Sequence, residues 1–268
     1  MGPTIRPAGP LRIVSAGVAV FLLAACTVVG AGRPPLPPPP HPAVDGPAVA
    51  GIKRAGVLRV ASDLSSPPLA FRDAASLGAP AGFEVDLAGL LAAALGVRLQ
   101  VIDTPRSAMS PGFDADLLLS QWTAETAPGL VSTPYYAMRQ AILWREGQDR
   151  ISSGSLRNVR VAVQARSRSQ ATVEHLGVTP AVIAYQPIEA LAAVSRGDAQ
   201  AAVADLPLVA EYVRTHRHVT MAPGPGPEVP LVVVVPSNAR DLLAFASAAI
   251  QELERRGGLA QLRQRWRL

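Results

Sequence analysis

Residues 85–102 read VDLAGLLAAALGVRLQVI and change from one pattern to another at Gly96. The apolar residues of 85–95 recur at the spacing of an amphipathic helix, and glycine commonly ends a helix. The apolar residues of 97–102 alternate with polar ones, as in a strand with one buried face. Because another strand-like run, 57–61, precedes the helix, the three segments predict a strand–helix–strand unit whose two strands lie parallel in one sheet.

The rest of the chain repeats this alternation of short strands and helices. Strands are predicted at 116–119, 140–144, 159–164, 181–185, 201–204 and 230–235. Helices are predicted at 169–176, 188–196, 207–215, 241–256 and 259–266. Because the pattern restarts at residue 159, we expect an α/β architecture of largely parallel sheets in two similar lobes.

The composition of the 268 residues indicates a globular protein. Apolar residues make up 49% of the chain and charged residues 17%, so the chain is too apolar to be disordered. The net charge of +5 comes almost wholly from scattered arginines, since Lys53 is the only lysine. Without a basic stripe, and with 4% aromatic residues, the chain is not expected to bind nucleic acid.

The N-terminus has the three regions of a secretory signal. Arg6 and Arg12 precede an apolar stretch, 13–25, that is too short to span a bilayer. It ends in Leu-Ala-Ala before Cys26, which resembles the lipobox of bacterial lipoproteins. Cys26 is the only cysteine, and lipidation would remove a reactive thiol from a secreted protein. We therefore expect residues 1–25 to be a signal peptide and Cys26 to carry a lipid that anchors the protein on the extracytoplasmic face of the cell membrane.

The N-terminal segment has an alternative interpretation. It could be an ordinary signal peptide or an N-terminal anchor helix with an incidental cysteine.

Residues 26–50, which begin with this cysteine, are predicted to form a proline-rich linker. A polyproline II spacer of about 3.1 Å per residue could hold the globule up to about 70 Å from its anchor. Such a segment is also typical of SH3-domain ligands, which the extracytoplasmic address disfavours.

Several segments of the globule, in this order, resemble one protein family across residues 52–268. They are Val60–Asp63, Pro67–Leu69, Gly82–Ala88, Asp116–Thr123, Ser132–Tyr136, Val161–Ala165, Ala201–Asp205, Gly257–Leu259 and Trp266. The chain is similar to the extracellular solute-binding proteins of the polar amino-acid type, family 3, which serve ABC transporters. The resemblance implies a type II periplasmic-binding-protein fold, in which two crossing hinge strands join two lobes. Lobe 1 would comprise 51–138 and 229–268, and lobe 2 would comprise 139–228.

The resemblance also implies a ligand site in the cleft between the lobes. Asp205 matches the aspartate that accepts from the α-ammonium group of the ligand, and its alternative role is to cap the next helix. Ser120 and Thr123 match positions that hold the same ammonium group. Asp63 matches a position that often meets a polar ligand side chain, with loop capping as its alternative. Between them, Gln121 and Trp122 could line the cleft, although core packing is equally open for Trp122.

The sequence differs from the family at the residue that binds the carboxylate of the ligand. The family has an arginine five residues after the position of Thr123, where this chain has Pro128. In the second lobe, where the family has glycine and small hydroxyl residues, the loop contains Ser167 and Arg168. Arg168 could supply the missing charge from the opposite lobe, or it could be a solvated surface arginine. Ser66 stands where the family usually has an aromatic residue.

Five further residues have a structural and a functional interpretation. Asp86, in the first turn of the predicted helix, is expected to stabilise the positive end of the helix dipole. Tyr135 and Tyr136 precede the hinge, where they could pack in the core or line the cleft. His216 and His218 could bind a metal as an i, i+2 pair, but surface histidines are expected, and no metal site or cofactor is predicted.

These observations predict a monomeric capture protein for a small, amine-bearing, amino-acid-like molecule. Its partners would be that ligand, the membrane through the lipid anchor, and the permease of an ABC importer. No catalytic or phosphate-binding motif argues for an enzyme. Two alternatives remain open: a ligandless interaction or sensor protein of the envelope, and a dehydratase-type enzyme on the same scaffold.

Overall fold

A computed structural model describes residues 1–2, 35–110 and 112–268. The predicted lipidation site Cys26 and most of the predicted signal peptide lie outside these ranges. The helices are α1 (Pro47–Ala55), α2 (Phe83–Leu95), α3 (Arg168–His175), α4 (Pro187–Arg196), α5 (Leu206–Thr215), α6 (Arg240–Arg255) and α7 (Gly258–Trp266). Within the described ranges, none of them has the length and apolar character needed to cross a membrane.

The strands are short and number fifteen in the described ranges. They are β1 (Val57–Ser62), β2 (Ser65–Ser66), β3 (Ala70–Asp73), β4 (Ala79–Ala81), β5 (Arg98–Asp103), β6 (Leu117–Leu118), β7 (Leu130–Val131), β8 (Tyr136–Met138), β9 (Gln140–Arg145), β10 (Val161–Gln164), β11 (Val182–Ala184), β12 (Ala201–Asp205), β13 (Val219–Pro223), β14 (Val229–Leu231) and β15 (Val234–Val235). Short 3-10 turns lie at Ala74–Ser76, Arg106–Ala108 and Ser153–Asn158.

Two five-stranded sheets form the centres of the two lobes. The first has the order β5-β1-β6-β15-β7, and the second has the order β11-β10-β12-β9-β13. In the first sheet β1 lies parallel to β5 and β6, and in the second β10 lies parallel to β11 and β12. The predicted α/β architecture is confirmed, but each sheet is mixed, because its other two neighbouring pairs, β6-β15 and β15-β7 in the first and β12-β9 and β9-β13 in the second, are antiparallel. Between the two sheets, β8 and β14 pair antiparallel where the chain crosses from one lobe to the other.

The predicted strand 230–235 is in fact two strands with different partners. β14 pairs with β8 at the crossing, whereas β15 pairs with β6 and β7 in the first sheet. At the break, the amide of Val232 donates to the carbonyl of Trp122 and the amide of Val233 donates to Ser132 Oγ. All seven residues from Val229 to Val235 are apolar, so hydrophobic pattern alone does not reveal the break.

The proline-rich linker packs on the globule where it is described. Residues 35–46 contain no helix or strand, but Pro37 and Pro40 are buried and Val44 packs against the main core. The amide of His41 donates to Glu252 Oε2 of α6 at 2.8 Å. The extended, unpacked spacer predicted for this part of the chain is therefore wrong, because its apolar rings and side chains find a surface to cover.

The start of α2 depends on a close approach of two backbone segments. Gly82 has a φ of 133°, and a Cβ atom there would lie 2.2 Å from the carbonyl oxygen of Leu69. The amide of Glu84 donates to that same carbonyl at 2.9 Å. Only glycine permits this contact, which fixes the first turn of α2 against the loop after β2.

Asp86, further along α2, has a tertiary role. Its Oδ2 accepts from Arg265 Nε at 2.8 Å and from Trp266 Nε1 at 2.7 Å. It therefore ties α2 to the last helix, α7, in addition to any interaction with the helix dipole.

Candidate functional site

The carboxyl ends of the parallel strands meet at a cleft between the lobes. This is where open α/β sheets bind their ligands, because the loops and helix starts there leave polar groups accessible. The cleft is lined by Ser66, Pro67, Leu69 and Gln121 from lobe 1 and by Gln164, Ser167, Arg168, Ser169, Pro187, Ala204, Asp205 and Leu208 from lobe 2. Of the eight predicted ligand residues, the structure places Gln121, Ser167, Arg168 and Asp205 in this lining.

Arg168 and Asp205 form an ion pair inside the cleft. Arg168 is the first residue of α3, and its Nη2 donates to Asp205 Oδ1 at 2.7 Å. Its Nη1 donates to the carbonyl of Met138 in the crossing strand at 3.3 Å. The two side chains retain 27% and 35% of their exposure, so the pair is largely withdrawn from water. The predicted ammonium acceptor thus already has a cationic partner from its own chain.

The alternative roles of these two residues find no support in the geometry. Asp205 precedes α5 at the capping position, but its side chain makes no capping hydrogen bond to that helix. Arg168 is held by two hydrogen bonds instead of extending into solvent.

Ser167 begins α3. Its hydroxyl accepts from the amide of Gln170 at 3.1 Å and donates to the carbonyl of Gln164 at 2.7 Å. Just before it, Arg166 has a φ of 55°, the left-handed conformation that glycine adopts without strain. The loop therefore keeps a glycine-type backbone although its sequence has an arginine there.

On the opposite side of the cleft, Gln121 also has a left-handed backbone, with a φ of 49°. Its amide donates to Glu84 Oε1 at 3.0 Å, and its side-chain Nε2 lies 3.4 Å from Glu84 Oε2. The hydroxyl of Tyr135 donates to the same Oε1 at 2.5 Å. A buried carboxyl therefore holds the cleft loop of lobe 1 in a conformation that non-glycine residues rarely adopt.

Burial dominates the electrostatics of this carboxyl. Glu84 is 1% exposed, and the loss of hydration raises the pKa of its side chain, while the hydrogen bonds from Tyr135 and Gln121 partly offset the rise. Burial also raises the pKa of the Tyr135 hydroxyl well above its ordinary value. Tyr135 is thus a packing residue, and Tyr136 is half-buried with its ring 5.7 Å from that of Phe83.

Arg106, which sequence reasoning missed, lies beside this loop. It begins a short 3-10 turn three residues after the end of β5, and its Nη1 donates to the carbonyl of Gln121 at 3.2 Å. Its Nη2 donates to Thr126 Oγ1 at 3.1 Å, and its guanidinium carbon lies 4.3 Å from the centroid of the Trp122 ring. The stack and the two hydrogen bonds hold the guanidinium group in one place.

The charges around Arg106 come from both lobes. Burial lowers the pKa of its guanidinium group, and the negative charges of Glu84, Asp205 and Asp63 oppose that change. Among the described residues, the hydrogen-bonding partners of the guanidinium group are neutral, and no carboxylate forms an ion pair with it.

The other four predicted ligand residues support the cleft loops but are not part of the lining. Ser120 is buried, and its hydroxyl accepts from the amide of Asp63 at 3.4 Å. Asp63 Oδ2 accepts from the amide of Arg106 at 2.9 Å. Thr123 bonds through its hydroxyl to Thr126 at 3.0 Å, and buried Trp122 stacks on Arg106. Each of them helps to position Arg106.

Comparison with known proteins identifies relatives of the globule. The model of the bacterial extracellular solute-binding proteins, family 3, matches residues 58–268. No curated protein sequence matches the chain. Among solved structures, an ancestral cationic amino acid solute-binding protein, AncCDT-1, is 27% identical with a TM-score of 0.72, covering 82% of this chain and 99% of its own.

Two arginine-binding proteins are comparably similar. A mutant of ArgBP from T. maritima is 26% identical, covers 82% of this chain and 99% of its own, and has a TM-score of 0.71. An ancestral arginine-binding protein bound to arginine is 25% identical, covers 79% of this chain and 98% of its own, and has a TM-score of 0.66. Another structure of AncCDT-1 describes it as a precursor of cyclohexadienyl dehydratase. These matches confirm the two-lobed type II fold.

Proposed function

We propose that this chain, which belongs to family 3 of the bacterial extracellular solute-binding proteins, captures a small, polar, amino-acid-like solute in the cleft between its lobes. It then delivers that solute to the permease of an ABC importer. The observation that supports this most directly is the cleft itself, which is lined by the amide side chain of Gln121 from lobe 1 and by the charged Arg168 and Asp205 from lobe 2. A small polar solute needs such convergent groups to replace its hydration shell.

Hinge closure is the mechanism that the topology favours. The lobes are joined at the antiparallel pair β8 and β14, so a change of a few backbone angles at the ends of these strands would move one lobe as a unit. A solute bound to both lobes would stabilise the closed form. The closed form would present a combined surface of two lobes to the permease.

A binding role suits the cleft better than a catalytic one. Among the lining residues that the structure describes, Asp205 is the one carboxyl group, and it is engaged with Arg168. The buried Glu84 accepts three hydrogen bonds behind the lining and is occupied in holding the loop. A dehydratase would need a carboxylic acid poised over the cleft, so steady turnover of a prephenate-like substrate is not expected.

Ligand binding is expected to raise the melting temperature. At a ligand concentration one hundred times Kd, binding to the folded state contributes about 2.7 kcal/mol. For a globule of this size, that corresponds to an increase of about 5 °C or more. The measurement is a thermal melt with a panel of amino acids, opines, polyamines and small organic acids. If no compound shifted the melting temperature, the capture role would be abandoned in favour of a ligandless interaction protein.

The protein is also proposed to be a lipoprotein anchored through Cys26. Cys26→Ala is expected to abolish incorporation of labelled palmitate in a bacterial host, because this residue carries the only thiol of the chain. Val29→Ala, three residues further on, is the control and should be labelled like the wild type. Labelling of Cys26→Ala at the wild-type level would rule out this anchor.

A further inference from the structure

We infer that the cleft takes a carboxylate without an α-ammonium group, because Arg168 already forms an ion pair with the ammonium acceptor Asp205 and neutralises its charge. The groups that bind the carboxylate are the guanidinium groups of Arg106 and Arg168, which come from opposite lobes. The inference rests on the proposed capture function and names the class of solute. It replaces the amine-bearing ligand expected from the sequence.

The first step concerns Asp205. Arg168 Nη2 already bonds Asp205 Oδ1 at 2.7 Å, so its guanidinium group neutralises the charge of this carboxylate. A ligand ammonium group would either bind Oδ2 beside that guanidinium group, which places two cations close together, or displace it and leave it without its partner in a partly buried cleft; both are unfavourable. Zwitterionic amino acids therefore meet an acceptor whose charge is already neutralised, whereas a ligand without the ammonium group leaves the ion pair intact.

The second step concerns the donors that remain. A guanidinium group has five N–H donors, and Arg168 uses donors on Nη1 and Nη2 for Met138 and Asp205. Arg106 likewise uses donors on both Nη atoms for the carbonyl of Gln121 and the hydroxyl of Thr126. Each arginine keeps unused donors in a fixed orientation. A planar carboxylate matches such a donor fork in shape and charge.

The third step concerns the charge of Arg106. The hydrogen-bond partners of its guanidinium group are neutral, and that group has no ion pair with any residue of 35–110 and 112–268. It lies beside the cleft, because it donates to the carbonyl of Gln121, which is part of the cleft lining. A partly buried cation without an anionic partner of its own, next to a cleft-lining residue, is suited to receive an anion from a ligand.

Together the two arginines would supply the positive charge that the family's arginine provides and that is missing at Pro128. No arginine or lysine lies between Thr123 and Tyr136, so this segment has no charged partner for a carboxylate. Arg106 places a guanidinium group next to the same loop from the end of β5, and Arg168 contributes one from α3. A carboxylate held by both would link the lobes and stabilise the closed form.

The test compares matched pairs of compounds that differ only in the α-ammonium group. The pairs are succinate with aspartate, glutarate with glutamate, phenylpropanoate with phenylalanine, and guanidinopentanoate with arginine. Affinities are measured by titration calorimetry on the full-length protein in detergent. In the wild type, at least one ammonium-free compound is expected to bind at least about tenfold more tightly than its amino acid, a difference of about 1.4 kcal/mol.

Arg168→Thr is expected to reverse this preference. The variant frees Asp205 for an ammonium group and restores a hydroxyl residue, so amino acids should gain about tenfold or more and ammonium-free acids should lose affinity. The control is Arg166→Gly, which removes an exposed arginine from the same loop and suits its left-handed backbone. That variant should keep the wild-type preference.

The outcomes separate this inference from the proposed function. Tighter binding of the amino acid in every pair that binds the wild type would overturn the inference and support the capture function. An unchanged preference in Arg168→Thr would overturn it as well. If none of the eight compounds bound to the wild type or to Arg168→Thr, the inference would also be overturned. Thermal melts with the wider panel of compounds would then test the capture function separately.

Discussion

Glu84→Ala is expected to lower the free energy of unfolding by about 3 kcal/mol. The substitution removes the acceptor of the Tyr135 hydroxyl and of the Gln121 amide, both of which face a buried site. A buried donor left without a partner costs about 1–3 kcal/mol, and the lost side-chain volume adds to that cost. Urea unfolding at 25 °C measures the change. Glu125→Ala, which removes an exposed acid in the same lobe, is the control and should remain within about 0.5 kcal/mol of the wild type.

The destabilisation by Glu84→Ala should also depend on pH in a defined direction. Because burial raises the pKa of Glu84 in the folded state, its contribution to stability is fully present below the unfolded-state pKa and is lost as pH rises through the folded-state pKa. The difference between wild type and variant should therefore be larger near pH 4 than near pH 8. A difference of less than about 1 kcal/mol at every pH would contradict the structural role assigned to this carboxyl.

The effect of Glu84 matters for function because it acts on the cleft loop. Gln121 has a left-handed backbone, which costs a non-glycine residue about 1–2 kcal/mol, and its amide is held by Glu84. Arg106 is in turn held by the carbonyl of the same Gln121. The stability of the lobe and the position of Arg106, a cation beside the cleft, thus depend on one small buried network.

Hydrophobic periodicity was sufficient to predict most regular elements. The predicted helix 85–95 is α2 with two further residues at its start, and the predicted strands 57–61 and 97–102 are β1 and β5. Periodicity did not predict the structure of segments whose conformation is decided by tertiary contacts. The apolar run 230–235 serves two different sheets, and Pro37 and Pro40 are buried on the globule, with Pro37 beside the start of α7.

The candidate site likewise has a part that the sequence predicts and a part that depends on tertiary contacts. Asp205, Arg168 and Gln121 line the cleft because motif order and spacing place them at strand ends. Their pairing was not predictable, since it depends on side-chain direction across 37 residues of chain. Arg106 belongs to no motif. The one feature of the sequence that could have identified it is its position shortly after β5, because the carboxyl end of that strand faces the cleft.

The two arginines also explain how this chain can depart from its family without losing a charged cleft. The family places a cation within one loop of lobe 1, whereas this chain distributes two cations between the turn after β5 and the start of α3. A solute held between them must contact both lobes. Closure and recognition would therefore depend on the same interaction, and losing one arginine should affect affinity more than stability.

Arg106→Ala is accordingly expected to weaken binding by at least about 30-fold, tested with the compound that gives the largest thermal shift with the wild type. Removing one partner of a buried charge pair costs about 2–5 kcal/mol, and each 1.4 kcal/mol is a factor of ten. Arg106→Lys should recover only part of the affinity, because a lysine keeps the charge but lacks the planar donor fork. Titration calorimetry measures all three proteins.

Arg98→Ala is the matched control, because Arg98 lies at the opposite end of β5 and is exposed. It should bind like the wild type. Thermal melts separate a loss of binding from a loss of folding, since Arg106→Ala gives up two hydrogen bonds to the neutral groups of Gln121 and Thr126 and the stack on Trp122. Each of these contacts contributes about 1 kcal/mol, so the melting temperature should fall by about 10 °C or less. If Arg106→Ala bound the ligand with wild-type affinity, Arg106 would not be a partner of the ligand charge. Among the described lining residues, Arg168 would then be the one cation left to bind a carboxylate.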